Sequence, residues 1–376
     1  MSTVTTSESW GSRLGGSIKG ILFGVLLLIA AIVLLFWNEG RAVHTKKALD
    51  EGQSMVENAS IEQIDPGQDG KLVHLNGKLE TKDVLEDSQF GVVFEGIKLK
   101  RLVEMYQWEE NTDSSSTKKM GGSTETTTTY TYNKDWNSSL IDSGGFHDQG
   151  HDNPGIMMYE SDTLSAGNVQ LGKFKLSESL INKIGNYKNF PVVEMKKEVS
   201  EDDSIKLIGG IIYIGEDQNN PKIGDLKISY QTVSPEVVSM ISQQKGDSFK
   251  PFVTSKGQTL EFLTSRDQTA QQMFDSAKSS NKLMTWILRF VGFFMIMIGT
   301  KIILKPLEVI GDVVPFIGNI IGFGIGIMSF IAAVQISLLT IAIAWIFYRP
   351  MFAIMLILVC VALGVFVWYK MKQNKE

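Results

Sequence analysis

The chain has 376 residues, 43% of them hydrophobic and 20% charged, with a net charge of −5, averages that by themselves resemble those of an ordinary soluble protein. A modest negative balance without long basic runs argues against a nucleic-acid-binding surface. The single cysteine, Cys360, excludes a disulfide within any domain formed by the rest of the chain.

Residues 1–17 are rich in Ser, Thr and Gly and are expected to form a disordered cytoplasmic N-terminus. Arg13 and Lys19 precede an apolar run at 20–37, and a first transmembrane helix is assigned to 18–37. A cleavable signal peptide is the competing reading. The run is long for one, however, and Phe36-Trp37-Asn38-Glu39-Gly40-Arg41 offers no small-residue cleavage site. The segment therefore reads as an uncleaved signal anchor with Trp37 in the interfacial aromatic belt.

Residues 38–282 are polar enough for an extramembrane domain and numerous enough to bury a sizeable core. Ala42, Val43, Leu49, Met55 and Val56 recur at helical spacing, which predicts a helix leaving the membrane. Ile97, Leu99, Val103 and Met105 then alternate with Lys98, Lys100 and Glu104, a period-two strand signal continued by Tyr106-Gln107-Trp108. With a second strand at 128–132, the Ser/Thr/Gly-rich stretch between them predicts a long hairpin with a mobile tip. Further strands are expected at 71–79, 169–176, 205–214 and 226–232. Ser177 caps a short helix running to Ile184, and a polar helix begins at Ser265 or Asp267 and passes through Met273 and Phe274.

Three more apolar runs follow. Transmembrane helices at 283–304, 322–347 and 350–369 are each long enough to cross ~30 Å of hydrocarbon at ~1.5 Å per residue. In lipid every backbone polar group needs an internal partner, so such runs must be helical. Residues 305–321 form a connecting segment, either re-entrant or interfacial. Pro306 and Pro315 interrupt it, and Lys305 is a candidate partner for Glu308 and Asp312. Residues 370–376 form a cytoplasmic tail. The fold class is thus an α+β integral membrane protein: four transmembrane helices, one N-terminal and three C-terminal, with a large β-rich domain between the first and second. Lys301, Lys305, Lys370, Lys372 and Lys375 outweigh the lone Arg349 in the other short turn, which places both termini in the cytoplasm and residues 38–282 on the opposite side.

Candidate sites are few. Gly318, Gly322 and Gly326 recur every four residues, a stripe for close helix packing within the chain or between protomers. Arg289 lies about two turns inside its span, where a charge is costly unless it snorkels or is hydrogen-bonded, with Ser337 and Thr340 at a similar level. Gln335 lies deeper. In the extramembrane domain His147, His151 and Asn153 form a polar cluster. Gly144, Gly145, Gly150 and Pro154 break any helix that would align the two imidazoles, so a polar loop is read there rather than a metal site. No nucleophile elbow, phosphate loop or zinc-type cysteine spacing is present, and neither an enzyme nor a cofactor is assigned.

Several segments resemble the transmembrane protein 43 (LUMA) family: Phe36-Trp37-Asn38-Glu39-Gly40-Arg41-Ala42, Val103-Glu104-Met105-Tyr106-Gln107-Trp108, His151-Asp152-Asn153-Pro154, Ile223-Gly224-Asp225-Leu226, Thr285-Trp286-Ile287-Leu288-Arg289 and Phe347-Tyr348-Arg349-Pro350. The likeness runs in order along nearly the whole chain; His151 fits it and His147 departs from it. It implies residence in the endoplasmic reticulum and inner nuclear membrane in a eukaryote, beside emerin- and lamin-like partners, with self-association. In a bacterium the cytoplasmic membrane is implied. The functional expectation is a non-enzymatic multi-pass scaffold in contact with the lipid bilayer and other membrane proteins. The alternative is an oligomeric channel or transporter formed by the C-terminal spans.

Overall fold

The computed structural model describes residues 1–196, 202 and 204–351. These form two compact units: one holds Met1–Val4, Glu51–Ser114 and Thr128–Phe274, the other Thr5–Asp50, Ser115–Thr127 and the chain from Asp275 onward.

The first unit is β-rich. Its longest strand, Lys98–Lys118, buries Leu99, Val103 and Met105 on one face, as period-two alternation requires. It pairs antiparallel with Leu226–Val233, Val103 opposite Ile228 and Met105 opposite Leu226. The region 205–214 is two strands, Ile205–Ile208 and Ile211–Ile214, because Gly209 and Gly210 both take positive φ (60° and 82°), the geometry of a two-residue hairpin turn. The region 169–176 is likewise a hairpin, Gln170–Leu171 with Phe174–Lys175.

A second sheet is built on Leu72–Glu80 and Val237–Lys245, with Leu75 opposite Met240. The strand Val237–Lys245 carries no alternation signal. Val238, Ser239, Met240, Ile241 and Ser242 are all buried, since both of its faces are covered. One core draws on both sheets, including Leu75, Phe90, Val103, Phe174, Ile228 and Met240. Each such side chain contributes ~1.5–3 kcal/mol by leaving water. Lys98, although charged, is buried, because its Nζ donates to the carbonyls of Ile184 (2.7 Å) and Asn182 (3.2 Å). It thereby caps the short helix Glu178–Lys183.

The second unit is helical. Among the described residues three helices are long and apolar enough to cross a membrane: α1 (Trp10–Met55), α2 (Ala270–Gly311) and α3 (Pro315–Tyr348). The first turn of α2 is set by a reciprocal capping box. The Thr269 hydroxyl accepts from Gln272 N (3.3 Å), and the Gln272 side chain accepts from Thr269 N (2.9 Å). Ala31 and Leu35 of α1, Ile296 of α2 and Ala333 of α3 are fully buried together. Elsewhere Leu22, Phe23, Phe290, Phe323, Phe330, Leu338 and Leu339 stand uncovered, an apolar jacket suited to lipid.

The backbones of α1 and α2 approach closely at Gly24 and Gly299. A Cβ on Gly24 would lie 2.8 Å from the Gly299 carbonyl oxygen, and a Cβ on Gly299 would lie 2.9 Å from that of Gly24. Only two glycines allow the backbones to meet in this way.

Three expectations are corrected. Residues 1–17 are not disordered: Ser2–Glu8 is a strand beside Thr124–Asn137, and α1 starts at Trp10. Main-chain pairing to a sheet edge needs no apolar face, so composition did not signal it. Residues 305–321 are not a separate connection either, for α2 continues through Pro306 to Gly311 and α3 begins at Pro315. Proline at the first helical position removes a donor that would be unpaired anyway. The hairpin tip between the two longest strands is docked rather than loose. The span assigned to 350–369 lies, beyond Met351, outside the described residues, as do the tail at 370–376 and Cys360.

Candidate functional site

The polar groups of the helical unit gather at its two ends. At one end the apolar runs of α1, α2 and α3 all give way to polar residues. Asn281, Thr285 and Arg289 follow one another at i, i+4 and so share a face of α2. Asn38, Glu39 and Arg41 of α1 meet them. Glu39 is fully buried and both its oxygens are engaged: Arg289 Nε donates to Oε1 at 2.7 Å and Trp345 Nε1 of α3 donates to Oε2 at 2.8 Å. The Arg289 guanidinium also lies over the Trp286 ring, 4.9 Å from its centroid.

Beside this triad, Asn38 Nδ2 donates to the Thr285 carbonyl (3.0 Å) and Arg41 Nη1 to Asn281 Oδ1 (3.0 Å), while Asn281 Nδ2 donates to the Ala42 carbonyl (3.0 Å). Each Glu39 oxygen holds one donor, from a different helix. The network clamps three helices.

Arg289 was expected near Ser337 and Thr340, but its partner is Glu39. Thr340 Oγ1 turns back to the Ile336 carbonyl (2.7 Å), Ser337 Oγ has no partner among the described residues, and Gln335 is exposed. A carboxylate neutralises a guanidinium, which a hydroxyl cannot do, so the ion pair wins at low dielectric.

At the other end Asp312, fully buried, is held by Arg13 Nη2 (2.5 Å to Oδ2) and by Lys118 Nζ (2.8 Å to Oδ1). Lys118 also reaches Glu308 at 2.8 Å. Burial works against the Lys118 ammonium, but the Asp312 and Glu308 carboxylates outweigh it and hold its pKa above the ordinary value. Trp10 Nε1 donates to the Val309 carbonyl (2.8 Å), Gly121 N to that of Val313 (3.0 Å) and Arg13 Nη1 to that of Gly122 (2.5 Å).

These partners replace Lys305, the one expected for Glu308 and Asp312. The hairpin tip, residues 115–127, thus touches the first turns of α1 and the α2–α3 junction.

The glycine stripe divides. A Cβ on Gly318 would strike Asp312, and one on Gly322 would lie 3.0 Å from the Glu308 carboxyl group, while near Gly326 nothing lies within 4 Å among the described residues. Gly318 and Gly322 thus pack against the C-terminal end of α2, and a second close approach, of α1 on α2, is made at Gly24 and Gly299, single glycines with no spacing signature.

In the β-rich unit His147 stacks on Tyr130 (ring centroids 4.1 Å apart) and His151 on Tyr132 (3.7 Å). Asn153 extends a strand edge: its Oδ1 accepts from Trp108 N (2.7 Å) and its Nδ2 donates to the Trp108 carbonyl (3.0 Å). Among the described residues no group of three or more His, Cys, Asp or Glu could hold a metal ion.

Sequence reading missed a buried cluster in this unit. Asp87 Oδ2 accepts from Arg101 Nη1 and from Tyr230 Oη, both at 2.6 Å, beside a cleft of about 220 Å³. Burial, then the hydrogen bond to Asp87, pushes the Tyr230 hydroxyl pKa upward. The signal was available, since Arg101 occupies the same strand phase as Leu99 and Val103, and an arginine in the apolar phase implies a buried acid.

The sequence profile described as transmembrane protein 43 matches residues 105–350. The chain is 34% identical over 369 residues to transmembrane protein 43 of Homo sapiens, covering 94% of this chain and 91% of that one. It is 35% identical over 355 residues to the Mus musculus protein (91% and 87%) and 30% identical over 367 residues to the Drosophila melanogaster homolog (93% of each). No solved structure matches it. With its apolar helices and β-rich region aligned along almost the full length of these relatives, the chain belongs to the transmembrane protein 43 family.

Proposed function

We propose that the protein is a non-enzymatic membrane scaffold, holding other membrane proteins against its helices and its β-rich domain. The observation that carries this reading is the use made of its buried charges. Glu39, Arg289 and Asp312 are spent on clamps between structural elements, each carboxylate oxygen of Glu39 and Asp312 already holding a donor. A conduit needs polar groups free to exchange partners along a path. Here Thr340 bonds its own helix and Gln335 faces outward.

In a eukaryotic cell the reading places the protein in the endoplasmic reticulum and inner nuclear membrane, with emerin- and lamin-like neighbours and self-association. In a bacterium it places it in the cytoplasmic membrane. The test is capture of the tagged full chain in mild detergent, followed by reconstitution into liposomes. A scaffold co-purifies with membrane proteins in fixed ratio and leaves the liposomes tight. A chain that purifies alone and passes ions on reconstitution refutes the proposal.

A further inference from the structure

The clamp around Glu39 borders a cavity of about 410 Å³ within the helical unit, lined by Lys46 of α1, by Lys278, Lys282, Trp286 and Arg289 of α2, and by Arg349 at the end of α3. Five cations therefore converge where three apolar helices become polar. Among the described residues Asp50 pairs with Lys278 (2.6 Å) and Lys46 (3.0 Å), and Glu39 with Arg289 (2.7 Å). Lys282 meets no carboxylate among the described residues. Arg349 has none either and only the Trp345 ring beneath it, 5.7 Å from the centroid. An excess of positive charge is thus left facing the cavity.

The level of the cavity decides what fills it. Trp286 is 49% exposed at its rim, and the apolar surface of α2 continues below it with Ile287 and Phe290, also exposed. An indole at this level belongs to the membrane–water boundary. A ligand here has an anionic head among lysines and arginines and a hydrocarbon body along α2.

We infer that this cavity binds the phosphate headgroup of an anionic phospholipid, with Lys282 and Arg349 as its principal cationic contacts. Arginine offers a fork of donors to phosphate oxygens, and lysine adds a point charge. A basic pocket between membrane helices suits such a headgroup. The inference stands whether or not the protein is a scaffold.

The test uses the full chain in mixed micelles, with dioleoyl phosphatidic acid, dioleoyl phosphatidylcholine or inorganic phosphate added separately. Lipid retention is read by native mass spectrometry and stabilisation by thermal unfolding. Phosphatidic acid is expected to be retained and stabilising, with phosphatidylcholine and inorganic phosphate much weaker. The Lys282→Gln/Arg349→Gln variant should bind phosphatidic acid at least about tenfold more weakly, given the contribution of each cation at an anionic surface. Without lipid it should melt like the parent, because neither residue is ion-paired among the described residues. The two single variants provide the same reading if the double variant folds poorly. Lys301→Gln/Lys305→Gln, at the other end of α2, should bind normally. Equal retention of phosphatidylcholine, undiminished binding by the substituted chains, or equal stabilisation by inorganic phosphate would each overturn the inference.

Discussion

Replacing Glu39 with glutamine tests the clamp most directly. The side chain keeps its shape and one acceptor oxygen, but the charge opposite Arg289 disappears. Arg289 is itself only 17% exposed, so water restores little of what is lost. A hydrogen bond to a charged group is worth ~1.5–3 kcal/mol and a neutral one ~1 kcal/mol. In membranes, polar contacts measured by double-mutant cycles average nearer ~0.6 kcal/mol, because the unfolded chain also finds partners. The clamp lies at the polar boundary of the bundle rather than at its centre, so a value toward the upper range is expected: ~2 kcal/mol for Glu39→Gln.

Arg289→Gln should cost a similar amount, and the two together little more than either alone. The coupling energy is then also ~2 kcal/mol, because the double variant buries two neutral amides instead of one orphaned charge. Reversible unfolding in mixed micelles measures all four corners of the cycle. Glu57→Gln provides the control, as its partner Lys71 is 2.9 Å away but both side chains are nearly half exposed, and such pairs contribute ~0–1 kcal/mol. If Glu39→Gln costs no more than Glu57→Gln, the clamp is not a structural element and the reasoning fails.

Leucine at Gly24 or Gly299 should destabilise the helical unit by ~1–3 kcal/mol or more, because each meets backbone that cannot move aside, whereas Gly326→Leu should leave melting unchanged. A Thr5→Cys/Thr127→Cys pair in a Cys360→Ser background should form a disulfide under mild oxidant, the parent hydroxyls being 3.5 Å apart, and its failure to form would separate the N-terminal strand from the hairpin. Asp312→Asn should lower the yield of that bond by loosening Arg13 and Lys118. Burial holds the His74 imidazole below its ordinary pKa of 6.5, so as pH falls through that value the unfolded chain takes up the proton first. Stability should therefore decline below about pH 6.5 and level off once the folded ring is also protonated; His74→Gln should remove this share of the decline, as read by denaturant unfolding at each pH.

What the sequence reveals depends on how far apart the partners lie. Leu99, Val103 and Met105 announce their strand because alternation is local, and the membrane helices announce themselves by length. Arg289 is conspicuous by its depth, but Glu39 lies 250 residues away and looked like an ordinary residue beyond the first span. Gly318, Gly322 and Gly326 attract attention through spacing alone. Gly24 and Gly299 are isolated, and their importance depends on which helices cross. Val237–Lys245 is invisible to periodicity because both its faces are covered, and Ser2–Glu8 because it pairs through its main chain.

The N-terminal strand has a further consequence, which concerns time. Ser2–Glu8 leaves the ribosome well before its partner strand, Thr5 and Thr127 being separated by 122 positions. At ~5–20 residues per second the wait is roughly 6–25 s. Throughout it the segment carries bare main-chain donors and acceptors beside an apolar helix already committed to the membrane. A strand in that position invites pairing with a neighbouring nascent chain. Its composition answers the hazard, with Val4 as its one apolar side chain among Ser, Thr and Glu. The polarity that makes the segment look structureless keeps it solitary until the hairpin is made.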